Sequence, residues 1–208
     1  MFSNFTKSFL KNNLNKYKLG IFDLDGTLIN SMPYHIEAWL EACERLSIRV
    51  NKNFFEDKGG MSSFDVAFLL TNNVKKANYL SSLKSLYYQE KIKEIKCYDE
   101  PLHLLKFFYR MNIQCAIGTG SKKKNVLSIL NLLEIKKYFK FIVTCEDCYK
   151  HKPDPECFIK ISQLSGITSD KIIIFEDAVS GISAAKYAKM DCCVYKNGIM
   201  ERFYPSTK

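Results

Sequence analysis

Nowhere in these 208 residues do about 18 apolar residues run together, so no membrane-spanning helix is expected. Internal repeats are missing too, which excludes a solenoid or other repeat architecture. Residues 1–22 hold four lysines and no acid, and the first 18 hold no arginine. Organelle transit segments favour arginine, so that absence argues against such an address, and residues 1–18 are expected to form a disordered extension. No recognisable secretory signal precedes the eight cysteines, and several sit in apolar runs such as "QCAIG" and "DCCVYK", where cysteine behaves as a small hydrophobe. Free thiols in a reducing, cytoplasmic setting are the expectation. Residues 145–151, "CEDCYKH", contain one C-x-x-C with no second pair at useful spacing and no fourth ligand, which excludes a zinc site. The net charge of +9 is spread as a basic tail on a mixed surface. Without a basic stripe and interleaved aromatics, nucleic acid is not an expected partner.

What is present is a set of short apolar runs bounded by turn residues or charges: Leu19–Leu24, Cys115–Thr119, Phe141–Cys145, Ile172–Phe175 and Cys192–Tyr195. Such runs suit buried parallel strands. Between the later ones, Val126, Ile129, Leu130 and Leu133 share a helical face, as do Phe158, Ile161 and Leu164, and Ile182, Ala185 and Ala188. Strands alternating with helices imply a Rossmann-like, doubly wound α/β parallel sheet. One interval breaks the alternation. After Pro33, with Ser31 near the N-cap, residues 34–98 show helical spacing and no convincing strand. They are expected to form an all-helical inserted domain with a helix over Lys75–Lys96 and hinges at Met32–Pro33 and Cys97–Pro101, the last starting a new helix. Residues 19–33 and 99–208 would form the α/β core.

Ligands bind such sheets beyond the carboxyl ends of the strands, and the polar residues collect there. Asp23 and Asp25 are alternate residues at a strand end and can face one ligand together. Close carboxylates repel, which a divalent cation relieves, and Glu176 and Asp177 after the fourth strand add hard oxygen donors suited to Mg²⁺. Thr119, Gly120 and Ser121 offer hydroxyls and amides for a phosphate, and Lys152 adds a fixed positive charge.

With those residues in view, "DLDGTLINS", "GTGSKKK", "HKPDP" and "FEDAVSGISAA" resemble, in order and spacing, the four motifs of the haloacid dehalogenase superfamily over about residues 19–200. The helical insert resembles the cap of its β-phosphoglucomutase-like and sugar-phosphatase subfamily. The resemblance implies Asp23 as nucleophile forming an aspartyl-phosphate and Asp25 as general acid and base. It also implies Thr119 and Lys152 as further catalytic residues, with Gly120 and Ser121 on the phosphoryl group. Mg²⁺ would be held by Asp23, Asp177, the Asp25 carbonyl and Glu176, the last directly or through water. His35 and Trp39, one helical turn apart, face either substrate or core. Gly60, Met61 and Ser62 are candidates for the substrate-reading loop. His103 and His151 are expected at the surface and Lys122–Lys124 on a solvated face.

Two departures bear on activity. Asn30 replaces an acid frequent in the first motif, and Ser63 stands where the sugar-phosphate mutase carries an arginine for a second phosphate. A neutral serine cannot hold a bisphosphate intermediate, so hydrolysis of small phosphate monoesters by a monomeric enzyme is expected. A phosphosugar mutase and a non-catalytic binding protein of the same fold are the alternatives.

Overall fold

The computed structural model describes residues 2–56, 58 and 61–206. In chain order the elements are α1 (Asn4–Asn13), β1 (Leu19–Phe22), α2 (Met32–Arg45), the one-turn α3 (Asn53–Glu56), α4 (Ser63–Thr71), α5 (Val74–Lys91) and α6 (Asp99–Arg110). Then come β2 (Gln114–Gly118), α7 (Lys123–Leu132), β3 (Phe141–Val143), α8 (Glu156–Ser165), β4 (Ile172–Glu176), α9 (Val179–Tyr187), β5 (Asp191–Lys196) and β6 (Ile199–Tyr204).

The strands form one sheet in the order β3-β2-β1-β4-β5-β6. The first five are parallel and β6 is antiparallel to β5. Burial on both faces explains the unbroken apolar runs. Alternate residues serve opposite layers: Leu19, Ile21, Ile172 and Ile174 meet Phe158 and Ile161 of α8 and Ala184 and Ala185 of α9. Phe22, Ile173 and Phe175 meet Leu104 and Phe108 of α6 and Val126 and Ile129 of α7. That is the expected doubly wound arrangement, and it leaves the carboxyl ends of β1, β2 and β4 side by side.

The four helices α2–α5 build a third cluster of their own around Trp39, Ala42, Phe55, Val66, Ala77 and Leu80. Two linkers join them to the sheet and run together: Asn30 N–H donates to the Lys96 carbonyl at 2.9 Å, Tyr98 N–H to the Leu28 carbonyl at 3.0 Å. Ile29 and Cys97 form an antiparallel bridge between them.

Several details differ from the expectations. Residues 4–13 are helical, not a disordered extension. Thr6, Phe9 and Leu10, spaced i, i+3, i+4, are buried, with the Phe9 ring 5.3 Å from Phe203 of β6 and the Thr6 hydroxyl 2.7 Å from Glu100. A partner strand absent from the expectations supplies the burial that composition seemed to deny. That strand, β6, pairs with β5 through a tight turn in which Asn197 and Gly198 take φ of 50° and 77°, the left-handed pair that such hairpins need. The helix expected to reach Lys96 ends at Lys91, followed by a 3₁₀ turn at Ile92–Glu94. The next helix opens at Asp99, with Pro101 inside its first turn.

Candidate active site

At the end of β1 the chain stays on the sheet for one more residue, Asp23 N–H donating to the Phe175 carbonyl at 2.9 Å. It then turns sharply. Gly26 has φ of +89°, and a Cβ there would lie 2.2 Å from Asp177 Oδ2, so the close approach of the β4 loop requires glycine. Thr27 Oγ1 donates to Asp177 Oδ1 at 2.7 Å, tying the two loops together.

Lys152 joins three of the junctions. The residue is 4% exposed, and its ammonium donates to Asp23 Oδ1 at 2.7 Å, Glu176 Oε1 at 2.5 Å and the Gly118 carbonyl at 3.0 Å. All three donors are therefore used. Burial works against the charge, but the carboxylates of Asp23 and Glu176 outweigh it, and the pKa stands above the usual lysine range. Glu176 is fully buried, and its other oxygen accepts from the amides of Asp177 and Ala178 at 2.9 and 3.0 Å. That commitment makes it a brace for Lys152.

Carboxylate oxygens of Asp23, Glu176 and Asp177 lie within 4.8 Å of one another. Burial, then the neighbouring carboxylates, push Asp23 above its ordinary range against the pull of Lys152. Burial and Glu176 push Asp177 up to about 7. Three acids facing one ammonium leave uncompensated negative charge, and the donors are hard oxygens, so the residues fit a divalent cation. The Asp25 carboxylate is not in this cluster.

Asp25 is held differently. Oδ1 accepts from Ser31 Oγ at 2.6 Å, from His35 Nε2 at 2.8 Å and weakly from Tyr88 at 3.4 Å. Oδ2 accepts from Ser121 Oγ at 2.5 Å. Burial opposes ionisation, but His35, Ser121 and Ser31 together bring the pKa below the ordinary carboxylate range. On the far side of His35, Lys84 Nζ lies 2.6 Å from Nδ1. An ammonium can only donate, which puts the imidazole proton on Nε2, toward Asp25. Burial, with Lys84 beside it, lowers the His35 pKa. Burial also brings Lys84 to about 8. Tyr88 stacks on His35 at 3.9 Å.

Above these groups is a cleft whose floor is Asp23, Asp25, Thr119, Gly120 and Ser121. Its roof includes Ile36, Trp39, Phe55, Met61, Ser63 and Lys84. Of the residues expected here, His35, Trp39 and Met61 do line the cleft, Trp39 also packing in the insert's core. Ser62 does not: its hydroxyl caps α4, accepting from Asp65 N–H at 3.1 Å and donating to the Asp65 carboxylate at 2.6 Å. Gly60 lies outside the described residues. Ser31 precedes α2 but makes no side-chain cap, because its hydroxyl serves Asp25. His151, expected on the surface, is half-buried against Asp65. His103 is exposed as expected.

Lys84 and Tyr88 were not foreseen. The available signal was their spacing: 77, 80, 84 and 88 fall on one helical face, and a lysine among Ala77, Leu80 and Tyr88 is out of place unless it has a buried partner.

A family model for haloacid dehalogenase-like hydrolases matches residues 20–195. A phosphorylated carbohydrates phosphatase of Thermotoga maritima is 26% identical over 82% of this chain and 81% of its own. A β-phosphoglucomutase of Bacillus subtilis is 30% identical over 83% and 80%. Among solved structures, a β-phosphoglucomutase from Clostridium difficile superposes with a TM-score of 0.79 at 26% identity, covering 86% of this chain and 84% of that one.

Proposed function

The chain belongs to the haloacid dehalogenase-like hydrolases, and from that premise we propose that it is a Mg²⁺-dependent phosphatase of small phosphorylated metabolites of the sugar-phosphate kind. The observation that carries the reading is the meeting of three other loops on Asp23: Lys152 on its carboxylate, Glu176 bracing Lys152 with Asp177 beside it, and Thr119 and Ser121 across the cleft floor.

In this reading Asp23 attacks phosphorus and becomes an aspartyl-phosphate while the alcohol leaves. Lys152 favours the anionic form of the attacking carboxylate, against burial and the neighbouring acids. Mg²⁺ would be held by Asp23, Asp177 and the Asp25 carbonyl, with Glu176 close by, and when bound it neutralises charge on the transferring oxygens. Asp25 protonates the leaving oxygen and then takes a proton from water. As the structure stands Asp25 is anionic. An arriving phosphoryl group would compete for the Ser121 hydroxyl and add negative charge nearby, and both effects favour the protonated acid. Ser31, His35 and Tyr88 orient that carboxyl, with Lys84 fixing the imidazole tautomer.

Residues 34–98 act as a movable cap whose cleft wall, with Met61 and Ser63, reads the leaving group. Ser63 on that wall favours release of phosphate over retention of a bisphosphate. All eight cysteines are free and no described helix is long and apolar enough to cross a membrane. We place the enzyme in the cytoplasm, as a monomer acting on small molecules.

Purified protein is expected to hydrolyse an aryl phosphate with Mg²⁺, to lose activity with a chelator and to lose it in Asp23→Asn. Full activity in Asp23→Asn sinks the assignment. A panel of phosphorylated metabolites then ranks substrates, and ³¹P NMR on a hexose 1-phosphate separates hydrolysis from isomerisation.

A further inference from the structure

His151 precedes Lys152 in the loop between β3 and α8, and Asp65 lies in the first turn of α4, 86 positions away in the chain. His151 Nδ1 is 2.9 Å from Asp65 Oδ2, and Nε2 is 3.2 Å from the Cys145 carbonyl. Both ring nitrogens therefore face acceptors. A neutral imidazole has one N–H and would turn a lone pair toward one of them, whereas the imidazolium satisfies both. The pair is half-buried, with side chains 23% and 37% exposed, and Ser62 holds the carboxylate in place.

The position of this contact matters. His35 and Tyr88 reach Asp25, and Gln89 reaches Asn125 at 3.4 Å. Those ties come from the ends of α2 and α5 that adjoin the two linkers. Asp65 comes from α4, which adjoins neither. We propose that His151 and Asp65 form a proton-dependent latch that holds the helical insert shut over the cleft. The proposal deepens the reading of residues 34–98 as a movable cap and rests on it.

The other charged groups around His151 leave the pair in control. Lys152 is neutralised by Asp23 and Glu176, and Lys150 faces Asp154 at 3.9 Å. Among the described residues, the Cys148 thiol also acts on His151, and the Cys145 and Cys157 thiols line the same recess. The Asp65 bond raises the His151 pKa against the effect of burial. The His151 bond, with that from Ser62, lowers the Asp65 pKa against burial. With the lid open, each group returns to its ordinary value, about 6.5 for the imidazole. The latch thus holds fully below about pH 6.5 and is lost as pH rises through the raised value of the closed state. On the acid side it fails when pH falls through the lowered value of Asp65.

The chain has one tryptophan, Trp39, which lines the cleft and is 5% exposed. Opening the lid should uncover it, so acrylamide quenching of its fluorescence reads closure without any turnover. In the wild type, quenching should be weak near pH 6 and stronger by about two- to five-fold near pH 9, the population change that such an ion pair supplies. His151→Gln and Asp65→Asn should each be strongly quenched at both pH values, and the double variant no more than either. Equal quenching in wild type and both variants near pH 6, or a pH dependence that survives in His151→Gln, overturns the latch. Absence of phosphatase activity alongside the expected quenching pattern would overturn the functional reading and leave the latch standing.

Discussion

Gly181, near the start of α9, has no room for a side chain: a Cβ there would sit 1.8 Å from Glu176 Oε1, the atom that Lys152 grips. Gly181→Ala must displace Glu176 or the helix, costing about 1–3 kcal/mol as overpacking. A drop in Tm of several degrees and a fall in kcat together are the expected outcome, measured by thermal melts and steady-state kinetics. At the same scale, Asp25→Asn keeps the shape of the side chain but removes its proton chemistry. It should lower kcat by about 10²–10⁴-fold, with metal binding by calorimetry nearly unchanged because the Asp25 carboxylate is outside the acidic cluster. Loss of metal binding together with activity would contradict the role given to it. Asp23, Asp25, Thr119 and Asp177 could be grouped from the sequence because each stands at or just beyond the end of a strand, where a parallel sheet must gather them, and Lys152, in the long loop after β3, because of the motif it sits in. Lys84 and Tyr88 could not, since they act on Asp25 from the insert, Lys84 through His35, and the Ser31 hydroxyl was expected to cap α2 instead.

Among the elements, α1 is the one whose removal separates stability from chemistry. Phe9 and Leu10 are buried against Tyr17 and Phe203, and the buried Glu100 carboxylate takes bonds from Ser3 N–H at 2.7 Å, Thr6 at 2.7 Å and Met200 N–H at 3.0 Å. Deleting residues 2–14 forfeits about 1.5–3 kcal/mol for each apolar side chain and strips Glu100 of two partners. The truncated protein should melt roughly 10 °C lower while its kcat at low temperature matches that of the full chain, because Tyr17, Glu100 and Phe203, on which α1 rests, do not line the cleft. An unchanged Tm would show that the helix is not docked in solution. The five parallel strands were readable as apolar runs since both their faces are buried. β6 alternates weakly, its residues being mostly exposed, and α1 is amphipathic over few residues in a lysine- and asparagine-rich stretch. Their partners are distant in the chain, so neither could be inferred locally.

For the whole molecule, the division of labour follows from the topology. The sheet fixes Asp23, Thr119, Lys152 and Asp177 relative to one another through buried backbone, and the insert supplies the roof and the groups that orient Asp25. Alternation of strand and helix, broken once, was enough to foresee an α/β core with a helical insert. The contact between α4 and the His151 loop was not foreseeable, because it depends on how the two bodies close. The central claim is that Asp23 carries the phosphoryl group between substrate and water. Acid quench of a single turnover with a phosphate monoester and Mg²⁺, followed by peptide mass mapping, addresses it directly. One phosphoryl group on Asp23 is expected, transient in the wild type and absent in Asp23→Asn; phosphate release with no phosphoryl group ever found on that residue rules Asp23 out as the carrier.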